Sequence, residues 1–180
     1  MQVGIDVPWV TSWSEERQTG VSPCPSVDGV LAVGQQERPG EGRPLYSQNH
    51  LFRQRRTVRE MRCPMCGQTT SSEDRWSQTA KFTSVRVLRE RGFGPDLPEG
   101  LADDRQLLNC GAIAPLHFAC AEASLQRCPH LGRMSDKSLK RFPAEWVVIP
   151  LWIKARVPDG QIATIAAAVS FLQLVGIQPG

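Results

Sequence analysis

The sequence predicts an α+β fold with a small core that a bound metal ion holds together. Two separated pairs of metal-binding residues, at 63/66 and at 117/120, supply the ligands for one ion. Segments typical of strands and of helices follow one another without an internal repeat. The 180 residues include 15 glycines and 14 prolines, and only 41% are hydrophobic, which limits the apolar core.

We divide the chain into three parts: an N-terminal extension at 1–45, a metal-binding domain at 46–135, and a C-terminal part at 136–180. The extension is predicted to be loop-rich, because "SPCPSVDG" and "QQERPGEGRP" are rich in turn-forming residues. Cys24 lies between two prolines in such a loop, and we interpret it as a bystander rather than a ligand.

The net charge and the cysteines bear on the partners of the protein, its compartment and the role of its thiols. Lysine and arginine number 21 against 18 acidic residues, and a net charge of +3 does not by itself indicate nucleic-acid binding. The first residues contain no basic segment followed by an apolar run, so we expect a cytoplasmic protein. Six cysteines in a reducing compartment favour metal binding over disulfides.

Residues 47–62 predict a helix capped by Ser47 or Asn49, and this helix is the most basic segment of the chain. Its arginines are Arg53, Arg55, Arg56, Arg59 and Arg62. One interpretation is a contact with the phosphate backbone of a nucleic acid. The other is a solvated helix face that pairs with acidic residues of a later loop, namely Glu99, Asp103 and Asp104.

The stretch Cys63-Pro-Met-Cys66-Gly67 predicts a metal-binding knuckle. Two cysteines separated by two residues form a tight turn in which backbone N–H groups point at the sulfurs, and the glycine permits that turn. A second pair, His117 and Cys120, has the same spacing and opens a predicted helix at 119–127. The order of knuckle, strand and helix-opening pair is that of a treble-clef zinc site.

Helix geometry excludes one other ligand set. If the helix is continuous, Cys120 and Cys128 lie about 12 Å apart along its axis, whereas two sulfurs on one zinc ion lie within about 4 Å. The predicted zinc ligands are therefore Cys63, Cys66, His117 and Cys120. Cys110 in place of His117 is the main alternative, and a broken helix that brings in Cys128 or His130 is a weaker one. Iron is a second metal that such a site accepts.

The segment "CPH" at 128–130 and the upstream His50 are the candidates for catalysis. Cys128 and His130 are suited to act as nucleophile and base or to bind a second metal ion. The simpler interpretation is a buried Cys128 and a His130 near the end of a helix, where a cation is favoured.

The remaining segments predict strands and one apolar helix. "TSVRVL" at 83–88 alternates like a strand, and 146–157 reads as one or two strands broken at Pro150. Residues 160–180 carry no charge and are predicted to form a helix that is buried or faces a protein partner or a second copy. Its apolar run, 162–177, is shorter than the ~20 residues of a membrane span.

The motifs "CPMCG", "APLHFACA" and "SLQRCPHL", with "VPWVTSWSEE" near the start, resemble those of small, mostly uncharacterised treble-clef zinc proteins of actinobacteria, which are HNH-like. The resemblance covers 5–18 and 46–134 and implies zinc binding and a treble-clef core. The chain departs from the group at His117, where the group carries cysteine. A site of three cysteines and one histidine is still a sound zinc site.

The leading functional hypothesis is a zinc-stabilised binding or regulatory protein that contacts nucleic acid or a protein partner. The alternative is a metal-dependent enzyme, such as a tailoring step in biosynthesis. An HNH-type nuclease is disfavoured because residues 67–116 contain no histidine to serve as general base.

Overall fold

A computed structural model describes residues 1–159 and 162–179 as a mixed α+β fold. The strands are β1 Thr11–Trp13, β2 Gln18–Pro23, β3 Leu31–Gln35, β4 Pro44–Asn49, β5 Trp76–Ser77, β6 Lys81–Ser84, β7 Gln106–Gly111, β8 Lys140–Arg141, β9 Glu145–Asp159 and β10 Ile162–Ile177. The helices are α1 Leu51–Arg59, α2 Val85–Leu88, α3 Phe118–Arg127 and α4 Pro129–Gly132, with short helical turns at Pro25–Val27 and in 89–96. No helix in these ranges has the length and apolar character needed to cross a membrane.

The largest sheet is built around β10. Its order is β2-β3-β10-β7-β6, and β9 pairs with β10 as well. β9 runs antiparallel to β10 along its full described length, so β3 and β7 share the opposite edge of β10. β3 meets that edge at Val169 and β7 from Leu174 onward. Two further pairs, β1-β4 and β5-β8, form small separate sheets.

The predicted C-terminal helix is wrong, because residues 162–177 form β10. Consecutive side chains from Leu172 to Val175 are buried on both faces of the sheet. A strand covered on both faces has a continuous apolar sequence, which resembles that of a buried helix. The ends of the predicted helix, residues 160–161 and 180, lie outside the described residues.

Residues 146–157, predicted as one or two strands broken at Pro150, form one unbroken strand. β9 continues through Pro150, which pairs with Leu172 of β10. Within the described residues β9 hydrogen-bonds only to β10, so it is an edge strand of the sheet. Edge strands tolerate a proline because one side of their backbone needs no N–H donor.

Helix α1 fills the gap that β3 and β7 leave on the edge of β10. The side-chain amide of Gln54 donates to the carbonyl of Leu172 (2.7 Å) and accepts from its N–H (3.0 Å). Arg55 donates to the carbonyl of Ser170, where the register of β10 shifts. The two side chains thus satisfy backbone groups that a missing neighbour strand would have bonded.

α1 is shorter than predicted, because 44–49 belong to β4. His50 caps the helix instead of Ser47 or Asn49, and its Nδ1 accepts a hydrogen bond from the N–H of Arg53 (3.2 Å). Its Nε2 donates to the carbonyl of Gln36 (2.9 Å), which fixes the neutral tautomer. Burial lowers the pKa of His50 to about 4, in keeping with a neutral ring.

The first 45 residues hold more regular structure than the loop-rich extension that was predicted. β1, β2, β3 and the start of β4 lie there, and β2 and β3 extend the main sheet. Trp13 and Val33 are part of the buried core. The sequence did not predict these short strands, because the prolines and glycines between them dominate the composition of the first 45 residues. The division of the chain into three parts stays a prediction.

The segment predicted as a strand at 83–88 changes conformation in its middle. β6 ends at Ser84, whose hydroxyl accepts from the N–H of Val87 and starts α2. Val85 and Leu88 are then buried from a helical turn rather than from a strand. A serine at a helix start is a common cap, and here it overrides the β-propensity of the valines.

Candidate metal centre

The four ligands predicted from spacing come together in one cluster. One ligand atom from each of Cys63, Cys66, His117 and Cys120 lies within 4.8 Å of all the others. Ligand atoms on a tetrahedral zinc ion lie about 4 Å apart, so these residues fit such an ion. Cys63 is buried and the other three side chains are half-buried, so the cluster lies just below the surface.

The knuckle is a tight turn closed by backbone hydrogen bonds. The N–H of Gly67 donates to the carbonyl of Cys63, and the N–H of Cys63 donates to the carbonyl of Gln68, both at 2.8 Å. Gly67 has φ of 77°, in the left-handed region that favours glycine. The predicted role of this glycine is confirmed by its backbone conformation.

The N-terminal segment packs on the outside of the knuckle. The N–H groups of Trp9 and Val10 donate to the carbonyls of Met65 (2.8 Å) and Pro64 (3.0 Å). The Trp9 ring lies directly over Gly67, where a β-carbon would come within 2.7 Å of it. Gly67 is therefore required both by its φ and by the tryptophan. Nothing in the sequence alone predicts that Trp9 lies at the metal centre.

The second ligand pair is positioned by an isolated antiparallel bridge between Trp76 and Leu116. Each residue donates its N–H to the carbonyl of the other, at 2.9 and 2.8 Å. α3 begins directly after Leu116, with His117 at its N-cap position and Cys120 in its first turn. The Phe118 ring packs edge-on against Trp76 at 5.2 Å between centroids, which holds the start of the helix in place.

Contacts on both ring nitrogens orient His117 toward the cluster. Its Nδ1 lies 3.4 Å from Cys66 Sγ, and its Nε2 lies 3.3 Å from the carbonyl oxygen of Thr69. The Nδ1 atom is thus the one available to a metal ion, while Nε2–H donates to the backbone. Metal-binding histidines commonly have such a carbonyl behind them.

The electrostatics of the cluster favour a bound cation. Burial raises the pKa of the Cys63 thiol. Burial and the neighbouring Cys63 and Cys66 raise the pKa of Cys120 to about 12. The thiols of Cys63 and Cys120 therefore ionise together only when a positive ion compensates their charge. Metal binding is expected to release protons and to weaken as the pH falls.

The other candidate ligands lie apart from this cluster. Cys110 is buried on β7 in the main core, where burial raises its pKa to about 12. Cys128 is half-buried at the end of α3, and His130 is exposed on α4. Among the described residues, no other group of three or more cysteine, histidine or acidic side chains is close enough to hold a metal ion.

The arginines of α1 divide into a buried and a surface set. Arg53 and Arg55 are 1% and 0% exposed. Arg53 forms a bidentate ion pair with the buried Glu16, in which Nη1 donates to Oε1 at 2.6 Å and Nη2 donates to Oε2 at 2.8 Å. Burial raises the pKa of Glu16, but the hydrogen bonds from Arg53 and from the Trp13 N–H outweigh it and lower that pKa. Neither arginine is placed to reach a phosphate backbone.

The surface arginines of α1 pair with nearby acids rather than with the acidic loop that was predicted. Arg56 and Arg62 both bond Glu60, and Arg59 bonds Asp28. Asp103 of that loop pairs with Arg89 instead. The predicted ion pairs with Glu99, Asp103 and Asp104 are thus not among those of the described residues, because local partners lie closer to the helix.

Comparison of the chain with protein-family models, curated proteins and solved structures finds no match. The metal centre is therefore interpreted from its own geometry. All six cysteines are free thiols, which agrees with the preference for metal binding over disulfides.

Proposed function

We propose that this chain is a zinc-stabilised binding protein in which the metal ion has a structural role. The observation that supports it is the clustering of four protein ligands, which is the full tetrahedral shell of zinc. Catalytic zinc sites keep one position open for water or substrate, whereas structural sites do not. A knuckle, a bridged pair and a helix that opens with two ligands follow the treble-clef order, and we propose that fold for residues 61–127.

An enzyme built on the remaining candidates has less support. His50 is buried and neutral, and both of its ring nitrogens are engaged by the backbone. No hydrogen bond among the described residues joins it to Cys128 or His130. A nucleophile and its base must lie within hydrogen-bond reach of each other, so these three residues do not supply a reactive pair.

Elemental mass spectrometry of protein purified without added metal tests the structural role. We expect one zinc ion per chain, because three thiolates and one imidazole suit zinc and the cluster is single in the described residues. A Cys128→Ser/His130→Ala double variant should hold the same amount. Iron in place of zinc, or a second equivalent of metal that the double variant loses, would contradict this assignment.

The surface that we propose for nucleic-acid contact lies on β9 rather than on α1. Trp152, Lys154 and Arg156 occupy alternate positions of β9 and project from one face of the paired strands β9 and β10, which we call the arm face. All three side chains are exposed, Trp152 by 52%. An exposed aromatic ring followed by two cations suits single-stranded nucleic acid, because the ring stacks on a base and the cations bind phosphates.

The arginines on the surface of α1 are a weaker choice for the same contact. Arg56, Arg59 and Arg62 are each bonded to a carboxylate, and each has only about a third of its side chain exposed. A phosphate would have to displace Glu60 or Asp28 from them. Lys154 and Arg156 take part in no ion pair among the described residues, so they are available to a ligand.

A triple variant, Trp152→Ala/Lys154→Ala/Arg156→Ala, should bind a fluorescent single-stranded oligonucleotide at least tenfold more weakly than wild type. The estimate follows from about 1–3 kcal/mol for one stacked base. Fluorescence anisotropy at several salt concentrations should also give a shallower salt dependence, because two cations are lost.

Phe82→Ala is the matched control for the arm face. Phe82 is exposed by 56%, a fraction similar to that of Trp152, but it lies on β6 at the far edge of the sheet. The Phe82→Ala variant should bind like wild type. If the triple variant also binds like wild type, the arm face is not the contact surface. If oligonucleotide affinity falls only when Arg56, Arg59 and Arg62 are replaced by neutral residues, the contact lies on or beside α1.

Contact of residues 160–180 with a protein partner or a second copy stays a prediction. One edge of β10 is paired with β9 throughout, and β3 and β7 cover the other edge only from Val169 onward. That second edge is therefore open to a partner in the N-terminal half of β10. Ile165 is 71% exposed there, opposite Arg156 on the arm face. A partner would therefore meet the same surface as the proposed nucleic acid.

A further inference from the structure

Cys24, interpreted from the sequence as a bystander, has polar neighbours unlike those of an inert thiol. It is half-buried and immediately precedes the helical turn Pro25–Val27. Its Sγ lies 3.1 Å from the hydroxyl oxygen of Ser26 and 3.7 Å from Nη2 of Arg55. Two hydrogen-bond donors therefore converge on one sulfur atom.

The second and independent observation is the charge of Arg55. Its side chain is fully buried, and it donates to the carbonyls of Val33 (3.0 Å) and Ser170 (2.9 Å). Within the described part of the chain, no carboxylate lies at ion-pair distance from it. A buried charge that has only neutral partners is costly, and nearly all such charges have a counter-ion. The Cys24 sulfur is the ionisable group in contact with it.

The directions of the hydrogen bonds around Ser26 also favour a negatively charged sulfur at Cys24. Arg55 Nε donates to Ser26 Oγ at 3.0 Å, so that oxygen acts as acceptor toward the guanidinium. The hydroxyl hydrogen of Ser26 is then free to point at Cys24 Sγ. The sulfur thus receives one donor directly from the cation and one relayed through Ser26, an arrangement that suits a thiolate.

The other charged groups near Cys24 compensate one another, so the charge of Arg55 leaves the surroundings of the sulfur positive. Arg59 donates to the carbonyl of Ser26, and Asp28 is paired with Arg59. Cys24 packs against the same apolar core cluster as Trp146 and Val148 of β9, which carry no charge. Burial raises the pKa of Cys24, but the hydrogen bonds from Ser26 and the charge of Arg55 outweigh burial and lower that pKa.

We propose that Cys24 is a thiolate that serves as the counter-ion of Arg55 and is a modification site for small oxidants such as hydrogen peroxide. The thiolate attacks one peroxide oxygen, a sulfur–oxygen bond forms and the oxygen–oxygen bond breaks. Sulfur is oxidised by two electrons to a sulfenic acid, and the leaving hydroxide takes a proton from water to give water and hydroxide in solution. Cys24 is only half-buried, so part of the residue is open to solvent.

The first test is the pH dependence of alkylation in the zinc-loaded wild-type protein. Iodoacetamide is added at several pH values, and labelling at Cys24 is followed by peptide mass spectrometry. The rate at Cys24 should rise much less between pH 6 and 8 than that of free N-acetylcysteine, which should rise more than about tenfold. A rate at Cys24 that climbs with pH like the free thiol would overturn the proposal.

Two variants extend the test and keep Arg55 itself. Ser26→Ala removes one donor to the sulfur, together with the hydroxyl oxygen that accepts from Arg55 Nε, and should lower the alkylation rate at pH 6 several-fold. Cys24→Ser gives the background. With peroxide and dimedone, a sulfenic-acid adduct should form at Cys24 in wild type and be reduced in Ser26→Ala. Absence of the adduct at Cys24 in wild type would overturn the assignment as an oxidation site.

Discussion

A Cys63→Ser variant is expected to lose its zinc ion and to unfold the region around the metal centre. Cys63 is fully buried and packs with Leu116 and Ala121 in a cluster too small to be stable alone. Structural zinc supplies about 10–16 kcal/mol in zinc-finger peptides, and a serine hydroxyl does not replace a thiolate ligand. Elemental analysis and thermal unfolding followed by circular dichroism measure both effects, and a strong chelator should reproduce them in wild type.

Cys128→Ser is the matched control for this variant. Cys128 is a half-buried thiol at the other end of α3, outside the ligand cluster. It should keep one zinc ion and unfold within a few degrees of wild type. A Cys63→Ser protein with the zinc content and melting temperature of wild type would remove the structural role that we propose for the metal.

Replacing Glu16 by alanine should lower the free energy of unfolding by about 3–5 kcal/mol, because it leaves the buried charge of Arg53 unpaired. The same carboxylate accepts the backbone N–H groups of Trp13 (2.8 Å) and Arg38 (3.0 Å). The variant therefore breaks an ion pair and leaves two backbone donors without their partner. Urea unfolding of the zinc-loaded protein measures the loss.

The neighbouring Glu15 provides the comparison. It is exposed and lies one residue away, so Glu15→Ala should change stability by less than about 0.5 kcal/mol. A double variant Glu16→Met/Arg53→Met should lose less stability than Glu16→Ala, since no charge is left buried. Equal unfolding curves for Glu15→Ala and Glu16→Ala would show that the buried pair contributes little.

The ligand set could be predicted from the sequence because it depends on short-range rules. The spacing in Cys63-Pro-Met-Cys66 and the rise of a helix between Cys120 and Cys128 are local quantities, and they are the same in any fold. α3 was also predicted almost to its ends, since helix-forming residues fill it and Pro129 follows it.

The surroundings of the ligands depend on distant residues and could not be predicted in that way. Arg53 lies in a basic segment that is typical of a solvated helix face. It is nevertheless buried, because it pairs with Glu16, which is far away in the sequence. β10 looks like a helix until β9 is present to pair with it, because tertiary contacts override alanine's helix propensity. Trp9 has no recognisable role until the knuckle it covers has formed.

The place of β10 in the sheet has a consequence for how the chain is made. Its partners β3, β7 and β9 all precede it, so a ribosome delivers the middle of the sheet after its edges. Until β10 emerges, the nascent chain carries β3 and β7 with unpaired backbone edges, together with Gln54 and Arg55 that lack the carbonyls they later bond. The metal centre needs only residues before 121 and can assemble earlier. The open edges of β3 and β7 are therefore exposed to aggregation until β10 has been made.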